Sequence, residues 1–340
     1  MNVSERPGVY TSYEVSSSIA AYGSGGAVGL AAESLSGQEG VCTAVSSYAE
    51  ALSAFGGGAL TELTRVLLLN GAPLVYCVSV GKSGYQKAVD TLMGVPEVKY
   101  MVCGSRSGTV HAMLKSALAA ADENSKYRIG ILESDLSDRA GLVAAARALG
   151  SEKLVLVSHH ETAGTPGSVA AALCGLLASR DDPALPVNGA ALTGLGEIGG
   201  NFSDGDITLL VRGGVTPIES LSGEVSVIRG VTTRSESGGA PDPTWRELTT
   251  VLVVNSLIPQ IRDSLRAKFA RAKNNAQTRG AIRTQVIIQL EENLSREYID
   301  GYGDVSVQPS GEDGSTCVVS FSFTVAHGLN RIELHADVSI

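Results

Sequence analysis

Aromatic residues are scarce in this chain, with Phe, Trp and Tyr at 5% and a single Trp. Surfaces that stack sugars or bases depend on aromatic rings, so the composition speaks against them. Cysteine is also sparse. Cys42, Cys77, Cys103, Cys174 and Cys317 are scattered, odd in number and without a CxxC, which argues against a disulfide framework or a zinc site. Buried thiols in a reducing cytoplasm are the expectation. Positive charge is in deficit: 26 Lys and Arg stand against 35 Asp and Glu, a net charge of -9. Phosphate backbones and anionic lipids repel such a chain, so direct nucleic-acid and membrane partners are not expected. No apolar run approaches the roughly 18 residues of a bilayer-spanning helix, and the opening MNVSERPGVYTSYEV has no signal-peptide h-region or cleavage site. Neither GxxxxGK[ST] nor GxSxG occurs.

What is present is aliphatic and small, with 44% hydrophobic residues and 40 Gly in 340 residues. That length suits two domains, or one with appendages. From about residue 43 to 182, helical and strand patterns alternate. Helices are expected over 46–54 and 59–69, and a strand over 74–80. Three strand–helix units follow: 100–103 with 109–121, 128–132 with 139–149, and 154–157 with 168–178. Continuous apolar strands separated by helices imply a parallel sheet covered on both faces. Residues 187–240 are rich in Gly, Ser and Thr, with strands expected over 207–211 and 225–231 and an exposed loop at 238–241. Asp242-Pro-Thr244-Trp-Arg-Glu247 reads as a helix start capped by Asp or Thr, with Glu247 three residues after Thr244. That helix should reach Phe269 with a bend near Pro259. A second, from about Arg279, places Ile282, Val286, Leu290, Leu294 and Tyr298 on one face.

Candidate chemistry is thin. Gly194-Leu-Gly196-Glu-Ile-Gly199 satisfies GxGxxG, but a loop through Gly205 stands where a dinucleotide site needs a helix. His159-His160-Glu161 follows a strand at the carboxyl edge of the sheet, where α/β ligand sites lie. Adjacent histidines on extended chain point apart, so a polar loop accounts for them better than a metal site. The alternative function class is an α/β enzyme with its site at that edge, near Ser105, Asp135 and His159. No catalytic, cofactor or metal residue is assigned.

The two ends are patterned as strands. Val9, Thr11, Tyr13, Val15 and Ile19 face one way near the start. Cys317, Val319, Phe321, Phe323 and Val325 alternate near the end, and after a turn at 327–330 so do Ile332, Leu334, Ala336, Val338 and Ile340. Such strands must pair, because open N–H and C=O groups template another strand. They complete the chain's own sheet, or add to a neighbour's; periodicity does not choose.

A set of motifs in order bears on that choice. They are Arg6-Pro-Gly-Val-Tyr10, Tyr48-Ala-Glu-Ala-Leu52, Asn70-Gly-Ala72, Gly189-Ala-Ala-Leu-Thr-Gly194 and Gly214-Val-Thr-Pro-Ile218. Val227-Ile-Arg-Gly-Val-Thr-Thr233, Trp245-Arg-Glu-Leu248, Ile258-Pro259, Ala272-Lys-Asn-Asn275 and Phe323-Thr-Val-Ala-His-Gly328 continue it. Together they resemble the sheath proteins of contractile phage tails, tail-like bacteriocins and related injection systems. The resemblance implies a structural subunit, not an enzyme, that needs no cofactor and polymerises as stacked hexameric rings around a tail tube. Its partners would be itself, the tube protein, and baseplate and terminator proteins, in a virion tail or tail-like particle assembled in the bacterial cytoplasm. The implied fold is α/β: a parallel-sheet outer domain of subtilisin-like topology, an α+β C-terminal core domain, and extended N- and C-terminal β arms that exchange strands. Mapped here, the divisions are an N-terminal arm at 1–22, an α/β domain at 23–240 (doubly wound over about 98–182), a core domain at 241–325 and a C-terminal arm at 326–340. Hinges are expected at Gly23–Gly26 and around Gly311–Ser315. Arg262, Arg266, Lys268, Arg271 and Lys273, with Arg279 and Arg283 beyond, concentrate positive charge. They form a solvated helix face or a contact with acid groups of the tube or a neighbouring subunit.

Overall fold

The computed structural model describes residues 26–159, 161–162, 164–196, 198–221, 223–311 and 314–328. Both expected arm strands, Val9 to Ile19 and Ile332 to Ile340, lie outside the described residues, as do Gly23 and Gly25.

The chain opens on β1 (Ala27–Glu33) and β2 (Cys42–Val45), then α1 (Tyr48–Phe55), α2 (Ala59–Leu69), β3 (Val75–Val80) and α3 (Gly84–Met93). Alternating units follow: β4 (Val98–Cys103), α4 (Gly108–Glu123), β5 (Ile129–Glu133), α5 (Arg139–Leu149) and β6 (Leu154–Ser158). After β7 (Glu161–Thr162) come α6 (Ser168–Ala178), β8 (Ala191–Leu192), β9 (Ile198–Gly199), α7 (Asp204–Arg212), β10 (Val215–Leu221) and β11 (Glu224–Val227). One nine-stranded sheet results, in the order β2-β3-β1-β4-β5-β6-β10-β11-β8. Strands β3, β1, β4, β5, β6 and β10 run parallel, while β2, β11 and β8 close the edges antiparallel. Parallel pairing therefore begins at β1, well before the 98–182 segment in which the doubly wound pattern is plainest.

Alternation of strand side chains builds two cores. Val28, Leu30, Ile131, Val155 and Val157 point to one face, where α1, α2 and α6 cover them. Ala31, Leu132, Leu154 and Leu156 point to the other, under α3, α4, α5 and α7. Both faces of the sheet are buried, as continuous apolar strands require.

The remaining elements are a hairpin of β12 (Glu236–Ser237) and β13 (Ala240–Pro241), α8 (Pro243–Arg246), α9 (Leu248–Phe269), α10 (Ala276–Ser295), β14 (Ile299–Tyr302), β15 (Ser306–Pro309), β16 (Cys317–Ser320) and β17 (Phe323–Val325). Here a third core forms from Val253, Leu257, Ile261 and Leu265 of α9 with Ile282, Val286 and Leu290 of α10. The first turns of α9 belong elsewhere: Leu248, Val251, Leu252 and Val254 join the core over the sheet. One helix thus serves both bodies. Its flank is tied to the amino ends of the strands, where Lys153 Nζ donates to Asn255 Oδ1 of α9 at 3.5 Å and to Asp122 at 3.0 Å.

Several expectations change. Residues 207–211 are helical rather than extended. Ser203 Oγ accepts from Asp206 N–H at 3.2 Å and the Asp206 carboxylate accepts from Ser203 N–H at 3.1 Å, a capping box that starts α7. A short apolar run does not reveal its period, and the cap decides. The strand expected over 225–231 ends at Val227, and Val231 makes only an isolated bridge to Glu247. The Thr244–Glu247 capping box does not form. Asp242 Oδ1 caps instead, accepting from Trp245 N–H at 3.1 Å, and Glu247 leaves the helix with ψ 120° to meet Arg229 at 2.7 Å. The second helix begins three residues early, at Ala276, because Asn275 caps Thr278 N–H. Of the five free thiols, Cys42 and Cys317 are only half-buried.

Candidate functional site

The parallel strands add on both sides of β1, so the usual ligand crevice would open at the carboxyl ends of β1 and β4. Here it is filled. Gly104 N–H donates to Ala31 O at 2.8 Å, and the Tyr85 hydroxyl donates to Gly104 O at 2.7 Å. A Cβ on Gly104 would lie 2.7 Å from the Ala32 Cβ. Burial pushes the nearby Cys103 thiol up to about 12, so it stays protonated and unreactive. Ser105, Asp135 and His159 are not joined by hydrogen bonds. Ser105 Oγ accepts from Ser107 N–H at 3.2 Å, Asp135 is exposed, and His159 turns inward, its Nε2 3.6 Å from Glu133 Oε1. His160 lies outside the described residues. The GxGxxG stretch falls between β8 and α7, with Arg65 and Asn70 bonding the backbone at Gly194 and Thr193. Glu133 was missed by sequence reasoning, although a carboxylate closing an otherwise apolar strand was the available signal.

The C-terminal region has a different geometry. Two-stranded antiparallel ribbons, β14–β17 and β15–β16, lie on the α9–α10 hairpin. Burial alternates from Cys317 to Val325 as the sequence pattern implies, yet the inward side chains are only half-buried. The chain then passes Pro186, so closely that a Cβ on Gly328 would lie 2.4 Å from the Pro186 Cγ. Glu247, Asn188 and His327 line a small pocket beside that crossing.

The predicted cations divide into two groups. Arg262 is taken up internally: it lies 5.8 Å from the Tyr127 ring and donates to Ser125 O at 3.4 Å. Lys268 donates to Gln285, Arg279 to Asn274 and Arg283 to Val305 O. Arg266, Arg271 and Lys273 are exposed at the hairpin tip, with no hydrogen bond or ion pair among the described residues. Of the expected hinges, Gly26 packs on the Lys99 side chain and Gly311 lies open to solvent.

Residues 240–339, which span this hairpin and its ribbons, match the family described as the phage tail sheath C-terminal domain. The sheath likeness extends to the fold of the whole chain. The contracted helical sheath protein of the anti-feeding prophage superposes with a TM-score of 0.74 at 17% identity, covering 99% of this chain and 100% of that one. A sheath tail protein from Listeria innocua gives 0.71 at 10% identity, over 91% and 94% of the two chains. Another from Desulfitobacterium hafniense gives 0.69 at 11%, over 94% and 100%. No curated protein sequence matches at a significant level. The family match thus covers residues 240–339, and the solved sheath structures share the fold of the whole chain.

Proposed function

We propose that this chain is a sheath subunit of a contractile tail or injection system, a structural protein rather than an enzyme, that polymerises around a tail tube as stacked hexameric rings, linked by strands donated from both of its ends, and contracts from a metastable extended state to drive the tube through a target envelope. The observation that carries the reading is the pair of ribbons at the C-terminal end. A two-stranded ribbon is marginal alone and gains stability from a third strand. Among the described residues each ribbon has half-buried side chains and an unpaired strand edge, and the sequence on either side of the described chain carries segments patterned as strands. Strand addition from neighbouring copies would complete both the hydrogen bonding and the burial. The arms at 1–22 and 326–340, the core domain at 241–325 and the subtilisin-like reading of the 23–240 sheet belong to this proposal. Because α9 serves the cores on both sides of residue 241, motion falls to the arm hinges rather than to that boundary. A gain on the order of a few kcal/mol per subunit suffices, since discrete interface states sum along a polymer. Baseplate and terminator proteins would cap the polymer, and assembly in a bacterial cytoplasm suits the free thiols.

Deletion of residues 1–20, and separately of 329–340, tests this. Each variant should keep the far-UV circular dichroism and unfolding midpoint of the free subunit yet form no tubes in negative-stain micrographs. Tubes of normal length from either variant would sink the strand-donation account.

A further inference from the structure

Helix α6 is the most enclosed helix of the sheet layer, with Val169 to Cys174 all buried. Its amino end has no cap of its own. The N-cap is Gly167, at φ +90°, and no side chain there accepts the orphaned N–H groups. A side chain cannot be supplied locally, since a Cβ on Gly167 would sit 2.8 Å from Cys103 O. Unpaired buried N–H groups at the positive end of a helix are costly. They are satisfied from β5 instead. Glu133 Oε2 accepts from Val169 N–H at 2.8 Å and from Ala170 N–H at 3.4 Å, and its side chain has no exposure. Its other oxygen accepts from Arg106 Nε at 2.6 Å, while His159, with neither ring nitrogen hydrogen-bonded, lies 3.6 Å away.

We propose that Glu133 is a long-range cap and built-in anionic ligand of α6, locking the carboxyl edge of the sheet in a latch that acid releases. Doubly wound sheets ordinarily present a helix N-terminus to a bound anion at this edge; here the chain's own carboxylate holds that place. Four other charged or titratable groups bear on it: Arg106 from the β4–α4 segment, His159 from the end of β6, His111 from α4, and Asp135 two residues along its own segment. Helix α6 contributes only backbone N–H groups. Burial alone would raise the Glu133 carboxyl, but His159 and Arg106 outweigh it and hold it below the ordinary value. A lowered carboxyl stabilises the fold above its unfolded-state value near 4.5 and loses that contribution as pH falls through the folded one.

The test combines two variants with one measurement on the unaltered chain. Glu133→Gln should melt roughly 5–10 °C lower at pH 7, with the gap to wild type closing as pH falls below 4.5 and through the lowered folded-state value. Glu133→Ala should be restored toward wild type by millimolar formate or acetate, which leave the wild-type midpoint unmoved. In the wild type, amide exchange in the first turn of α6 should accelerate in acid before the rest of the sheet opens. The proposal is overturned if Glu133→Gln matches wild type at neutral pH, if the alanine variant folds but ignores small carboxylates, or, should neither variant fold, if the α6 amides open only with global unfolding.

Discussion

The sheet and the C-terminal ribbons are both β-structure in one chain, yet they stand at opposite ends of completeness. The central strands β1, β4, β5 and β6 are paired on both sides, and residues such as Leu30, Ile131 and Leu156 have no solvent exposure. Among the described residues every ribbon strand is paired once, Val319 is half-buried and Val318 is 50% exposed. The sheet has spent its hydrogen-bonding and apolar surface within the subunit. The ribbons hold theirs in reserve. In the polymer proposed above, this division would separate a body that folds alone from a surface finished by neighbours.

The contrast predicts unequal penalties for shortening side chains. Leu30→Ala, in the middle of β1, should cost the free subunit about 3–5 kcal/mol by leaving a cavity between two fixed layers. Val319→Ala in β16 should cost about 1 kcal/mol or less, because its side chain still touches water. Urea unfolding of unassembled subunits measures both. Equal penalties would mean that the ribbons are as self-sufficient as the sheet.

Next in size is the close packing at the amino end of α6. Gly167→Ala should destabilise by about 1–3 kcal/mol, combining a left-handed φ with the contact to Cys103 O. Gly311→Ala, in the open segment between β15 and β16 with no atom within reach of a Cβ, should shift the midpoint by less than about 0.5 kcal/mol. Thermal scans of the two variants sharpen the comparison between the packed region and the open one.

The layout of the sheet was legible because continuous apolar strands and 3.6-period helices leave strong signals. Helices α2, α5 and α6 have the bounds expected of them. The carriers of local exceptions were not legible. The run at 207–211 carries no period long enough to separate helix from strand, so the Ser203–Asp206 cap had to decide it. Glu247 follows the capping-box spacing but is drawn away by Arg229, a partner 18 residues earlier. Glu133 caps a helix 36 residues on; its place at the end of an apolar strand marks the residue, but no local pattern names the helix it caps. Of the candidate interface, the charge cluster was visible as composition, but only the fold separates the occupied Arg262 and Lys268 from Arg266, Arg271 and Lys273, which are exposed and have no partner among the described residues.

A smaller effect follows from the cap before α9. Asp242→Ala removes the bond to Trp245 N–H and an ion pair to Arg234, and should cost about 1 kcal/mol. Thr244→Ala should cost almost nothing, since Thr244 has no capping role. The lone Trp reports on this end directly: it is buried where α8 meets the sheet core. Its emission should shift to the red on urea unfolding at a lower midpoint in the Asp242 variant only. A matching shift in the Thr244 variant would restore the capping box that the structure lacks.

The smallest expected change in stability accompanies the most direct test of the hairpin tip. Arg266, Arg271 and Lys273 are exposed and pair with nothing among the described residues, so Arg266→Glu with Arg271→Glu should leave the free subunit within about 0.5 kcal/mol of wild type. If the tip is only a solvated face, assembly should be equally indifferent. If it meets acid groups on a tube or a neighbouring subunit, tube formation should fail at low salt in the variant, while the wild type weakens progressively as salt screens the contact. Exposed ion pairs are individually weak, about 0–1 kcal/mol each, but their number grows with the polymer, so a change too small to see in the monomer becomes visible in the assembly. Stable monomers that also assemble normally at low salt would return these cations to the solvent and leave the ribbons as the unfinished surface among the described residues of the C-terminal region.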